Sequence, residues 1–126
     1  MGLAVSAPVS RIVETVEDRF ARLERETAFS GWDGPRSRAI VPAVWAVARD
    51  FARAATAEVP GLAAPFVSPG TDGSVHLRWS ASGAMFDLEL AGDGLFFAES
   101  KGGKLLSDGE CTSLGDAIKR MRMLFR

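Results

Sequence analysis

At 126 residues, with 47% hydrophobic and 25% charged side chains, the chain has the size and composition of one folded domain and lies outside the range that leaves chains disordered. Its 15 basic and 16 acidic residues leave a formal charge of −1, which gives no global attraction to nucleic acid or anionic lipid. Cys111 is the sole cysteine, so an internal disulfide framework and a cysteine-rich zinc site are excluded.

From Pro8 to Thr27, Val9, Ile12, Val13, Val16, Phe20 and Leu23 recur at helical spacing and predict a first α-helix. Ser6 before Pro8 is its expected cap, and Asp18 with Arg22 an expected i,i+4 pair on the wet face. A second helix is expected from Pro42 to about Glu58, with Val41, Val44, Trp45, Ala48, Phe51, Ala52 and Ala55 on one side, ended by Pro60-Gly61.

After Gly61 the apolar period changes to two, and turn dipeptides follow one another: Asp72-Gly73, Ser82-Gly83, Asp93-Gly94 and Gly102-Gly103. A tight turn at Ser82-Gly83 sets Val75 opposite Leu90, Leu77 opposite Leu88 and Trp79 opposite Phe86 on one side of a hairpin. The other side then pairs Arg78 with Asp87 and His76 with Glu89. A slip of one residue would place Leu77 opposite a charge, so this register is strongly specified.

Further strands are expected from Leu95 to about Ser100 and around Lys104 to Ser107, with a short extra one conceivable at Pro65 to Ser68. A two-residue turn at Asp93-Gly94 would bury Leu95 and Phe97 and turn Phe96 to the opposite face, under an N-terminal helix or a partner. A three-residue loop would reverse that assignment. Ser113 is positioned to cap a last helix carrying Leu114, Ile118, Met121 and Phe125. The expectation for residues 1–126 is therefore a single α+β domain: two N-terminal helices, an antiparallel β-meander of about four strands, and a C-terminal helix.

Gly31-Trp32-Asp33-Gly34-Pro35, between the first two helices, reads as a structural lock in which Trp32 fills a hollow and Asp33 bonds nearby amides. The functional alternative makes Trp32, Asp33, Arg36 and Arg38 a binding loop. His76 and Glu89 can be read as a general-base pair, but no nucleophile or anion-stabilising site accompanies them, and an ordinary cross-strand pair is the simpler account. Cys111 precedes the last helix, where amide dipoles can lower a thiol pKa, yet it has no Cys-x-x-Cys partner and reads as passive. No metal site or cofactor is expected, because one histidine and scattered carboxylates make no ligand set. Lys119, Arg120, Arg122 and Arg126 are expected to stay wet while Met121, Leu124 and Phe125 pack inward, leaving nucleic acid a weakly supported partner.

Gly31-Trp32-Asp33-Gly34, a following apolar helix, and Val67-Ser68-Pro69 with Asp72-Gly73-Ser74-Val75-His76-Leu77-Arg78-Trp79 together resemble a pattern in small bacterial proteins of unknown function. Those proteins carry a W-D-G loop and an S-P-T-x-D-G strand ending in tryptophan. The likeness spans Phe29 to Leu90, departs at Pro35 and Gly70, and implies a domain but no activity.

By elimination, the expected function is a non-catalytic interaction or accessory protein that binds another protein or itself through a sheet face, with Phe96 on it, or through the Trp32 loop. The alternatives are a nucleic-acid accessory protein and a small enzyme using His76. Residues Met1 to Arg11 lack a basic stretch followed by a long apolar run, and no later segment nears about 18 apolar residues. A cytoplasmic location, suited to a lone thiol, and no membrane association are the corresponding expectations.

Overall fold

The computed structural model describes residues 14–126. Helix α1 (Val16–Glu26) is followed by α2 (Pro42–Glu58), five strands β1 (Phe66–Pro69), β2 (Val75–Ala81), β3 (Ala84–Ala91), β4 (Gly94–Lys101) and β5 (Lys104–Cys111), and then α3 (Leu114–Leu124). The sheet is an antiparallel meander in the order β1-β2-β3-β4-β5. The α+β class stands, but the strand count is five rather than about four, since the short segment after Pro65 pairs with β2 as a true edge strand.

α1 and α3 begin at side-chain caps, and α2 begins at a proline. The Thr15 hydroxyl accepts from the Asp18 amide at 3.1 Å while the Asp18 carboxylate accepts from the Thr15 amide, a reciprocal cap that starts α1 at Val16. This occupies Asp18, so Arg22 pairs with Glu14 and Glu26 instead of Asp18. The expected Ser6 cap and the turn from Pro8 to Val13 lie outside the described residues. Pro42 opens α2 in the first turn, where a missing amide loses no bond, and leaves Val41 just outside the helix, 55% exposed rather than on its buried side. Ser113 caps α3 by accepting from the Asp116 amide at 3.1 Å.

The β2–β3 hairpin has the register that its two faces demand: Val75 with Leu90, Leu77 with Leu88, Trp79 with Phe86, and on the reverse side His76 with Glu89 and Arg78 with Asp87. Ser82 and Gly83 both take positive φ, 52° and 80°, as a turn matched to strand twist requires. The next turn uses Gly92 and Asp93, one residue earlier than Asp93-Gly94, because Ala91 pairs with Gly94. The paired positions thereby shift by two, an even number, so Phe97 stays buried and Phe96 stays on the other face.

All three helices cover one face of the sheet. Val67, Val75, Leu77, Trp79, Phe86, Leu88, Leu90, Phe97 and Cys111 project from it into a single core with Phe20, Trp45, Phe51, Ala55 and Met121. Phe51 meets Trp79 edge to face at 5.6 Å between centroids, and Phe86 stacks on Phe97 at 6.2 Å. Truncating any of these fully buried rings to alanine is worth about 3–5 kcal/mol, enough to threaten a domain of this size.

Beyond Glu99 the β4–β5 pairing slips: Glu99 faces Ser107 and Ser100 faces Leu105, leaving Leu106 as an extra residue. β5 continues past Ser107 to Cys111, and the alternation of the strand sends two consecutive leucines to opposite sides. Leu105 joins the uncovered face opposite Ser100, whereas Leu106 lines a hollow with Arg120, Met123 and Leu124 beside α3.

Candidate interaction surface

The face of the sheet away from the helices carries Phe66, Ser68, His76, Arg78, Asp87, Glu89, Phe96, Ala98, Leu105 and Glu110, alternating with the core positions. No described element packs across it. Phe66, Phe96 and Leu105 are 57%, 37% and 59% exposed. Two adjoining hollows cross this face, one of about 190 Å³ against Phe66, Ser68, His76, Arg78 and Asp87, the other of about 150 Å³ against His76, Asp87, Glu89, Phe96 and Ala98.

Its charges are unevenly committed. Arg78 Nε donates to Asp87 Oδ1 across the hairpin, an exposed pair of small energetic weight. The Arg19 guanidinium, reaching from α1, stands 4.6 Å from the centroid of Phe66 and donates to the Val67 carbonyl at 2.8 Å. Glu89 and Glu110 form no ion pair within 4 Å among the described residues.

His76 lies across from Glu89 in the backbone register, but its ring pairs with a nearer group: Nε2 is 3.0 Å from Ser74 Oγ. The Ser74 hydroxyl in turn donates to Asp72 Oδ1 at 2.5 Å, and the Ser74 amide donates to the same oxygen. Serine therefore sits between carboxylate and imidazole, where it can neither be deprotonated by an oriented histidine nor reach solvent, since Ser74 is 1% exposed. The expected His76–Glu89 pair is thus replaced by a lock on the β1–β2 turn. Donation from the Ser74 hydroxyl, with help from the Ser74 amide, holds the Asp72 carboxyl below the usual carboxylate range against partial burial.

The loop between α1 and α2 is fastened to that turn. The Arg38 amide donates to the Thr71 carbonyl at 2.8 Å, and Gly73 takes a positive φ of 92° beside the Ala39 carbonyl. Trp32 packs half-buried against the core and donates from Nε1 to the Arg38 carbonyl at 2.7 Å. The amide bonding expected of Asp33 falls to Ser37 instead. The Ser37 hydroxyl accepts from the Asp33 amide at 2.9 Å and donates to the Gly34 carbonyl at 2.7 Å, while the Asp33, Arg36 and Arg38 side chains are left exposed at the tip. Trp32, Asp33, Arg36 and Arg38 therefore share one loop, and His76, Glu89 and Phe96 share the uncovered sheet face.

Two other chemical candidates are accounted for by packing. Cys111 is 5% exposed, and burial, with Asp116 nearby, pushes its thiol up rather than down. Arg120, expected to stay wet, lies over the Phe97 ring at 4.1 Å and pairs with Glu99 and Asp116, while Arg122 donates to the Glu58 carboxylate at 2.8 Å. Among the described residues no group of three or more His, Cys, Asp or Glu is arranged to hold a metal, and no helix is long and apolar enough to cross a membrane. Sequence reasoning missed Ser74, whose role follows from the Asp-Gly-Ser turn signature, and Glu110, whose place on the face depends on how far β5 extends.

No protein-family model, no curated protein and no solved structure matches the chain.

Proposed function

We infer that the protein is a non-catalytic interaction or accessory protein whose uncovered sheet face docks on another protein. The observation carrying this reading is the bare face itself: a five-stranded sheet with helices on one side only, exposing Phe66, Phe96 and Leu105 on the other. A cytoplasmic setting and kinship with the small bacterial proteins bearing the W-D-G loop belong to the same reading. The loop holding Trp32 serves in it as a brace for the β1–β2 turn.

The two alternatives have less support. Arg120 and Arg122 are occupied by carboxylates of this chain, and the sheet face carries Glu89 and Glu110, a poor surface for phosphates. His76 is tied to a buried serine rather than to a carboxylate that would orient it as a base.

Phe96→Asp tests the reading. It places a further carboxylate between Glu89 and Glu110 without touching the core, so the fold is expected to persist while association with the partner falls. Unchanged association of a folded variant would remove this face as the interface.

A further inference from the structure

Phe96 has an unusual setting on the uncovered face. It is the direct cross-strand neighbour of Glu89 on β3 and of Glu110 on β5, so an aromatic ring stands between two carboxylates. The grouping is close-knit: a β-carbon on Gly94 would lie 3.1 Å from Glu110 Oε2 and 3.3 Å from Phe96 Cζ, which brings ring and carboxylate to one spot over a residue with no side chain.

The same combination occurs on the covered face one residue along β4, and there it is filled. Phe97 receives the Arg120 guanidinium at 4.1 Å from its centroid, with carboxylates of Glu99 and Asp116 each 3.6 Å from guanidinium nitrogens. Ring and carboxylates act together there, the ring attracting the flat face of the cation and the carboxylates its edge. Phe66 is likewise met by Arg19. Phe96 has no cation over it among the described residues, and Arg78 on the same face is paired with Asp87.

We propose that Phe96, Glu89 and Glu110 form a seat for an arginine side chain of a partner protein, the guanidinium lying on the ring with its edge toward the carboxylates. This deepens the reading of the sheet face as an interface and rests on it. The partner segment presents an arginine flanked by apolar residues, which lie toward Leu105 on one side and the hollow beside His76 on the other. Lysine fits less well, because an ammonium lacks the flat, forked geometry that meets a ring and two carboxylates at once.

The test uses the whole chain, isotope-labelled, titrated at low salt with a blocked Gly-Leu-Arg-Leu-Gly peptide and its glutamine counterpart while NMR follows the Phe96 ring and the Glu89 and Glu110 carboxylates. The arginine peptide is expected to shift all three. Binding is expected to be about tenfold weaker for the glutamine peptide and for Phe96→Ala or the double variant Glu89→Gln, Glu110→Gln, each with native amide dispersion. Equal response to both peptides, shifts centred on the helices, or no shift at millimolar peptide overturns the proposal. So does self-association of the peptide-free protein through β3–β5, which would make a second copy the occupant. The seat and the interface fail separately: if a partner is lost with Phe96→Asp but no response to arginine is seen, the face stands and the seat falls.

Discussion

Gly70 and Ser74 share one small space: a β-carbon on Gly70 would collide with Ser74 Oγ and come within 2.8 Å of Asp72 Oδ1 and 3.1 Å of His76 Nε2. The turn between β1 and β2 closes only because that position has no side chain. Gly70→Ala is therefore expected to destabilise the fold by about 1–3 kcal/mol, as overpacking does. Gly92→Ala is the control, since nothing lies within 4 Å of its β-carbon and its φ is not positive. Urea denaturation of both variants should move the midpoint down for the first and leave it nearly in place for the second.

The same turn makes stability sensitive to acid. The Asp72 carboxyl is held below its ordinary value chiefly by the Ser74 hydroxyl, so ionised Asp72 favours the folded state. The stabilisation is complete above the unfolded value of about 3.9 and is lost as pH falls through the lower folded value. Asp72→Asn and Ser74→Ala should each flatten the loss of stability below about pH 4. In Ser74→Ala the Asp72 carboxyl, followed by NMR, should titrate closer to an ordinary aspartate. An unchanged acid slope in both variants would contradict this account of the lock.

Trp32 distinguishes a brace from a binding loop. Its ring packs on the core and its indole N–H donates to the Arg38 carbonyl. Trp32→Phe keeps most of the ring and removes one hydrogen bond, for an expected loss of about 0.5–1.5 kcal/mol. Association with a partner should survive this change, and Arg36→Ala with Arg38→Ala should alter neither property.

Cys111 should behave as an inert core thiol. It is 5% exposed with its pKa raised by burial. Labelling by a disulfide reagent at neutral pH should proceed orders of magnitude more slowly in the folded protein than in denaturant, at a rate set by opening of the structure. Rapid native-state labelling would instead indicate an accessible, activated thiolate.

The hairpin could be read from sequence because turn chemistry at Ser82-Gly83 and two alternating strands agree on a single register. β1 is harder to read, being four residues that follow Pro65 and end in Pro69, and it becomes a strand only through pairing with β2. The turn at Gly92-Asp93 was displaced by one residue, yet the face of Phe96 was unaffected because the change in register was even. His76 was assigned to Glu89 on backbone register, while a serine two residues away on the same strand end reached the ring first. Arg120 resembled any solvated cation on an amphipathic helix, since its partners Phe97 and Glu99 lie on a distant strand. Candidate positions on the sheet were thus visible in the alternation of side chains, but their actual partners depended on tertiary contacts.

We propose that the uncovered sheet face is where this protein meets another. The most direct measurement is purification of the tagged protein from its native cell after nuclease treatment, comparing wild type with Phe96→Asp and with Arg36→Ala, Arg38→Ala, each verified as folded. The expected result is a stoichiometric protein partner that survives nuclease, is lost with Phe96→Asp and is kept by the loop variant. A partner retained in full by Phe96→Asp, or recovered only through nucleic acid, would contradict it.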